Sequence, residues 1–223
     1  MHLTESDHAA VTAAVAAAER ETSGEIVSVV AARSDSYRDI ALLWSTAAAF
    51  LALALIAAFP GFFIDLLDRL RGGWGHSPSV RALMTILVVA VAATFAVASA
   101  LLTWLPLRIA LTPGAVRSRR TRARALDLFR VGAEKRTIGH TGVLLYLSLA
   151  EHRAELVTDA AIHAKVRPEV WGEAMATLID AVREGHPGEG LAAAIGRIGV
   201  VLAEHFPRRT DDTNELPDRL IEL

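Results

Sequence analysis

The chain of 223 residues contains no cysteine. That excludes disulfides, thiolate metal sites and cysteine nucleophiles, and leaves the compartment open. Strong net charge is also missing: the formal value is −2 at pH 7, so the whole molecule is not drawn to nucleic acid. Several chemical signatures are absent too. The chain has no G-x-S-x-G, no P-loop, no dinucleotide-binding glycine fingerprint and no H-E-x-x-H, the patterns that announce common hydrolases, nucleotide binders and zinc peptidases. A composition of 52% hydrophobic and 22% charged residues excludes a disordered or collagen-like chain.

The most informative absence is local. Residues 40–64 carry no charged side chain, and neither do residues 82–107. About 20 apolar residues at about 1.5 Å each cross the roughly 30 Å hydrocarbon core of a bilayer. Both stretches are long enough and are predicted as transmembrane helices. The alternative is a pair of buried core helices, which rarely run so far without one charge. A signal peptide is not expected, because a polar segment of 39 residues precedes the first apolar run. In an antiparallel hairpin, Trp44 and Trp104 reach the same membrane face, where aromatic residues gather. The connector, residues 65–81, is expected outside the cytoplasm. Phe62 and Phe63 just before it, with its Leu66, Leu67 and Leu70, form a stripe that reads as an amphipathic piece on the membrane surface, and Gly72, Gly73, Gly75 and Pro78 mark turns.

The segment after the second apolar run is basic. Residues 108–136 hold nine Lys or Arg against Asp127 and Glu134. Such clusters beside a span stay cytoplasmic, which places both termini in the cytoplasm. Arg117, Arg119, Arg120, Arg122 and Arg124 are the expected partners of anionic headgroups. Nucleic acid is not an expected partner: aromatic residues do not interleave with the arginines, and residues 1–39 and 137–223 are both net acidic.

The polar remainder reads as α/β. A capping-box-like start at Thr4–Asp7 opens a helix that Ser23-Gly24 ends. Residues 25–31 read as a strand. After the hairpin, a basic helix is expected over about 116–135 and a buried strand from Gly142 to Leu149. A turn at Glu151-His152 leads to an alternating strand over 153–157. Three helices come next: a short one behind Asp159, one from Pro168 to about Arg183, and one over about 189–205. Residues 207–223 read as a polar, acidic tail. Neither 1–39 nor 111–223 has enough strands for a stable sheet, so the two are expected to form one discontinuous domain.

The stretch GHTGVLLYLSLAEHRAELVTD, Trp171, GEGLAAAIGRIGVVLAEHFP and the ending DDTNELPD resemble the TPM-domain family, and more closely its bacterial membrane branch with a two-span insertion. The resemblance covers about residues 1–39 and 111–223. It implies an α/β/α sandwich with an inserted transmembrane hairpin, in the bacterial cytoplasmic membrane. Some members carry acid phosphatase activity and bind divalent ions; others are non-catalytic partners of membrane complexes, including repair systems. In this chain the hairpin stands where other members have an acidic cluster, and only Asp35 and Asp39 remain near it.

Two clusters carry the candidate chemistry. Glu151, His152, Glu155, Asp159 and His163 form the first. Asp159 and His163 are four apart, a spacing for two metal ligands on one helix face; the alternative for Asp159 is an N-cap. Glu151 and His152, in the turn, are expected to be solvated. Asp211, Asp212, Asn214, Glu215 and Asp218 form the second, with oxygens suited to Ca²⁺ or Mg²⁺; the alternative is a solvated acidic tail, or one docked on the arginines of 117–124. The candidate metal ligands are Asp159, His163, Asp211 and Asp212. For phosphate chemistry, Asp159 with Arg153 and Lys165 are the candidate catalytic residues. The expected role is binding or modulating a membrane-protein complex, with a metal-dependent phosphatase and a non-catalytic ion-binding domain as alternatives.

Overall fold

The computed structural model describes residues 3–70, 79–132, 141–209 and 218–223. The chain divides into two compact units, Met1–Ser36 with Gly114–Leu223, and Tyr37–Pro113.

The first unit is built on a four-stranded mixed sheet ordered β3-β2-β1-β4, with β1 Glu25–Ala31, β2 Gly142–Ser148, β3 Arg153–Thr158 and β4 Ile221–Glu222. β1 runs parallel to β2 from Glu25↔Gly142 to Ala31↔Ser148. β3 is antiparallel to β2, and β4 is parallel to β1. Every residue of β1 and β2 is buried, which explains their near-continuous apolar sequences. Alternation divides their side chains between two cores. Ile26, Val30, Val143, Leu145 and Leu147 face one core, shared with α1 (Glu5–Glu19), α7 (Ala160–Lys165), α8 (Gly172–Glu184) and α9 (Pro187–His205). Val27, Val29, Leu144 and Tyr146 face the other, where Ala125 and Phe129 of α6 (Gly114–Gly132) pack.

Local chemistry sets the helix ends. Thr4 accepts from the Asp7 N–H, and the Asp7 carboxylate accepts from the Thr4 N–H at 2.8 Å, a reciprocal capping box. Gly185 ends α8 in the left-handed region, φ 91°. The helix expected to open at Pro168 begins instead as a 3₁₀ turn, Pro168–Trp171, before α8. The tail also differs from expectation. Its last residues form β4, because the Leu223 N–H donates to the Val30 carbonyl and the Ala32 N–H to the Leu223 carbonyl.

The second unit is helical, with α2 Arg38–Ala58, α3 Pro60–Leu70, α4 Val80–Leu101 and α5 Leu105–Ala110. α2 and α4 are long and apolar enough to cross a membrane and pack against each other. Pro60 cannot continue α2. α4 stops at Leu101, short of the apolar run's end, and the Arg108 guanidinium donates to the Leu102 and Thr103 carbonyls beyond it. Ser45, Thr85 and Thr94 each donate to the carbonyl four residues back, so these hydroxyls need no water. The Trp44 indole donates to the Leu111 carbonyl at 3.1 Å, which brings the two ends of the unit together.

Candidate functional site

The carboxyl ends of the parallel strands β1 and β2 meet at one edge of the sheet, the position where open α/β sheets bind ligands. The loop after β1, the β2–β3 turn, the first turns of α6 and the last turn of α8 converge there. Leu149 and Ala150 N–H groups donate to the Ala31 and Ala32 carbonyls, tying the turn to the loop. His152 holds φ 48°, a left-handed conformation that a four-residue hairpin connection requires of one residue.

Glu151 organises this edge. It is buried, only 4% exposed, where the sequence suggested a solvated turn. The Ser34 N–H donates to its Oε1 at 3.0 Å, and the Ser148 hydroxyl donates to Oε2. Ser34 Oγ also meets Thr121 Oγ1 at 3.3 Å and Tyr146 Oη at 3.1 Å. Burial pushes the Tyr146 phenol above its usual range, opposed by the Ser34 hydroxyl. Beside them Arg120 donates to Asp35 at 2.6 Å. Burial likewise raises the Glu155 carboxyl, against the pull of Arg122 and Arg153.

A polar cavity of about 390 Å³ opens at this edge, walled by Arg117, Glu151, His152, Arg153, Ala154, Ile179 and Arg183. Arg117 comes from α6, Arg153 from β3 and Arg183 from α8. The Nε atoms of Arg117 and Arg153 are buried and have no hydrogen-bond partner among the described residues. Buried donors without acceptors are uncommon in folded proteins.

The sequence-predicted site residues are dispersed. Arg153 begins β3 and Asp159 follows its end, so the strand's six residues, about 20 Å of extended chain, separate them. Asp159 sits at the N-cap position of α7, but its carboxylate accepts from the Gly142 N–H at 3.0 Å rather than capping the helix. Lys165 lies with its ammonium 4.5 Å from the centre of the Phe206 ring. Asp159, Arg153 and Lys165 are therefore not brought into one catalytic group. His163 stands one turn from Asp159 on α7. Among the described residues no group of three or more His, Asp or Glu side chains is placed to hold a metal ion. Asp211, Asp212, Asn214 and Glu215 lie outside the described residues. Of the five arginines expected at headgroups, Arg120 is committed to Asp35 and Arg117 walls the cavity. Arg119, Arg122 and Arg124 are exposed, Arg122 reaching Glu155 at 3.7 Å. Arg183 was invisible to sequence reasoning, because nothing in its own helix marks it as facing Arg117 and Arg153.

The sequence matches no family profile and no curated protein. The fold is similar to the NMR structure of the BA42 protein from the psychrophilic bacterium Bizionia argentinensis, at a TM-score of 0.57 and 17% identity, over 100% of this chain and 97% of that one. BA42 has a TPM-domain fold, so this chain and a TPM-domain protein share their fold.

Proposed function

We propose that this is a two-span protein of the bacterial cytoplasmic membrane whose TPM-like α/β/α domain, with both termini, lies in the cytoplasm and binds or modulates a membrane-protein complex. The observation that carries the reading is the surface of α2 and α4. Leu42, Leu43, Phe50 and Leu51 on one helix, and Met84, Val88, Val89 and Val97 on the other, are exposed. So much apolar surface is untenable in water and ordinary in lipid. Arg33, Arg38 and the arginines of residues 108–136 flank the two apolar runs in sequence, which favours a cytoplasmic domain. A binding role fits better than turnover, because the carboxylates and cations considered for catalysis stand apart. A part in repair or quality control follows from the family resemblance.

Membrane fractionation with alkaline carbonate washing, and reporters fused after Leu223, test this. Retention in the washed membrane and activity of a cytoplasmic reporter are expected. A periplasmically active reporter overturns the orientation; release by carbonate overturns the anchor. Cross-linking in native membranes and purification of the full chain should then capture an integral membrane protein in stoichiometric yield.

A further inference from the structure

Within the helical unit, α3 has an amphipathic surface and buries none of it: no residue of Pro60–Leu70 is buried. At about 100° per residue, Phe62, Phe63, Leu66, Leu67 and Leu70 share roughly 140° of its circumference. Asp65 and Asp68 fall on the other side. Arg69 stands at the boundary, where a long side chain keeps its charge in water while its stem lies on apolar surface. Phe62, Leu66 and Leu70 are 65%, 41% and 76% exposed. The Phe62 and Phe63 rings meet edge to face with 5.3 Å between their centres, a favourable pairing that makes one wedge of the two. A continuous apolar face of this kind is untenable in water.

What covers the face follows from where α3 begins. α2 has 21 residues, about 31 Å at 1.5 Å each, which matches the hydrocarbon core of a bilayer. Its exposed apolar surface runs through Phe50, Leu51 and Leu55 to Phe59. Helical bonds carry the chain across the junction: the Phe59 N–H donates to the Leu55 carbonyl and the Phe63 N–H to the Phe59 carbonyl. On the two-span reading, on which this inference rests, α2 leaves the hydrocarbon at Phe59 and α3 starts at headgroup level. Charge decides what holds it there. Anionic headgroups retain polybasic segments, whereas α3 carries two carboxylates and one guanidinium. We propose that α3 lies in the plane of the bilayer interface, in the leaflet remote from Arg38, with Phe62, Leu66 and Leu70 in the acyl boundary, and that it binds phospholipid by apolar insertion, independently of headgroup charge.

The chain has no cysteine, so single nitroxide labels can be placed on the full protein through Phe62→Cys, Leu66→Cys, Leu70→Cys, Asp65→Cys and Asp68→Cys, with Leu51→Cys as the reference within α2. Every one of these positions is exposed, so the labels leave the packing intact. The variants are reconstituted into vesicles of phosphatidylcholine, with and without phosphatidylglycerol. Collisions with oxygen, which concentrates in lipid, are compared with collisions with a nickel chelate, which stays in water. The labels of Phe62→Cys, Leu66→Cys and Leu70→Cys should favour oxygen several-fold more than those of Asp65→Cys and Asp68→Cys. They should lie shallower than that of Leu51→Cys, and equally so in both lipids. Equal nickel access in Phe62→Cys and Asp65→Cys, with Leu51→Cys still deep, overturns the interfacial helix and leaves the spans standing. Nickel access in Leu51→Cys as well overturns both. Shielding of Phe62→Cys and Leu66→Cys from both reagents assigns the face to a protein partner and overturns the lipid assignment. Insertion seen only with phosphatidylglycerol overturns independence from headgroup charge.

Discussion

The Ser34 backbone N–H donates to the buried carboxylate of Glu151 at 3.0 Å across 117 residues of sequence. The bond joins the loop that leaves β1 to the turn that leaves β2, so one side chain holds together segments the inserted helices separate.

Glu151→Ala strands the Ser34 N–H and the Ser148 hydroxyl inside the protein. A buried donor left without a charged acceptor costs about 2–3 kcal/mol, so the melting temperature should fall by roughly 5–10 °C. Glu151→Gln retains one acceptor oxygen and should lose less. Thermal unfolding of both variants checks the order, and a negligible loss in the alanine variant contradicts it.

Glu19 should make stability depend on pH. Burial pushes its carboxyl from 4.5 up to about 8; the Ile26 N–H opposes this, and Glu25 and Asp218 add to it. The folded chain therefore keeps a proton that the unfolded chain has released. Between about 4.5 and 8 the folded state binds more protons, so this contribution is full below 4.5 and is lost as pH rises through 8. Melting temperatures from pH 5 to 9 should decline in the wild type and decline less in Glu19→Gln. Parallel curves would refute the assignment.

The sheet requires both halves of the polar chain. β1 lies between β2 and β4, so residues 111–223 alone lack the strand next to β2. That fragment should be poorly dispersed by NMR. Replacing residues 38–112 with a short Gly/Ser linker should instead yield a soluble, cooperatively folding domain. A cooperative fold from 111–223 would sink the idea of one discontinuous domain.

Gly199 lets α9 approach α1. A Cβ there would stand 2.5 Å from that of Ala18, well inside contact distance, and overpacking of this kind costs about 1–3 kcal/mol. Gly199→Val should lower the denaturation midpoint, whereas Gly196→Ala, where a Cβ meets nothing within 4 Å, should not. Equal midpoints would place the close approach elsewhere.

Much of the fold is legible in the sequence because its signals are local. The capping box at Thr4, the apolar strands 25–31 and 142–148, and the charge-free runs each show their physics within a few residues. β4 is not legible: two residues, Ile221 and Glu222, carry no periodicity, and their pairing depends on the exposed edge of β1. The candidate site is mostly hidden for the same reason. In sequence, Arg153 suggests a partnership with Asp159 that the antiparallel run of β3 prevents. Arg117 reads as one of a row of headgroup-binding cations, and Glu151 as a turn residue in water.

The sequence by itself determined where two helices are long and apolar enough to cross a membrane and where strands form a sheet, since transfer from water and backbone periodicity act on neighbouring residues. Only the tertiary structure decided that Arg117, Arg153 and Arg183 line one cavity and that Glu151 is buried in its wall. Hydrogen bonds and electrostatic contacts depend on distance in space, and the packing of α6 and α8 against the sheet sets those distances.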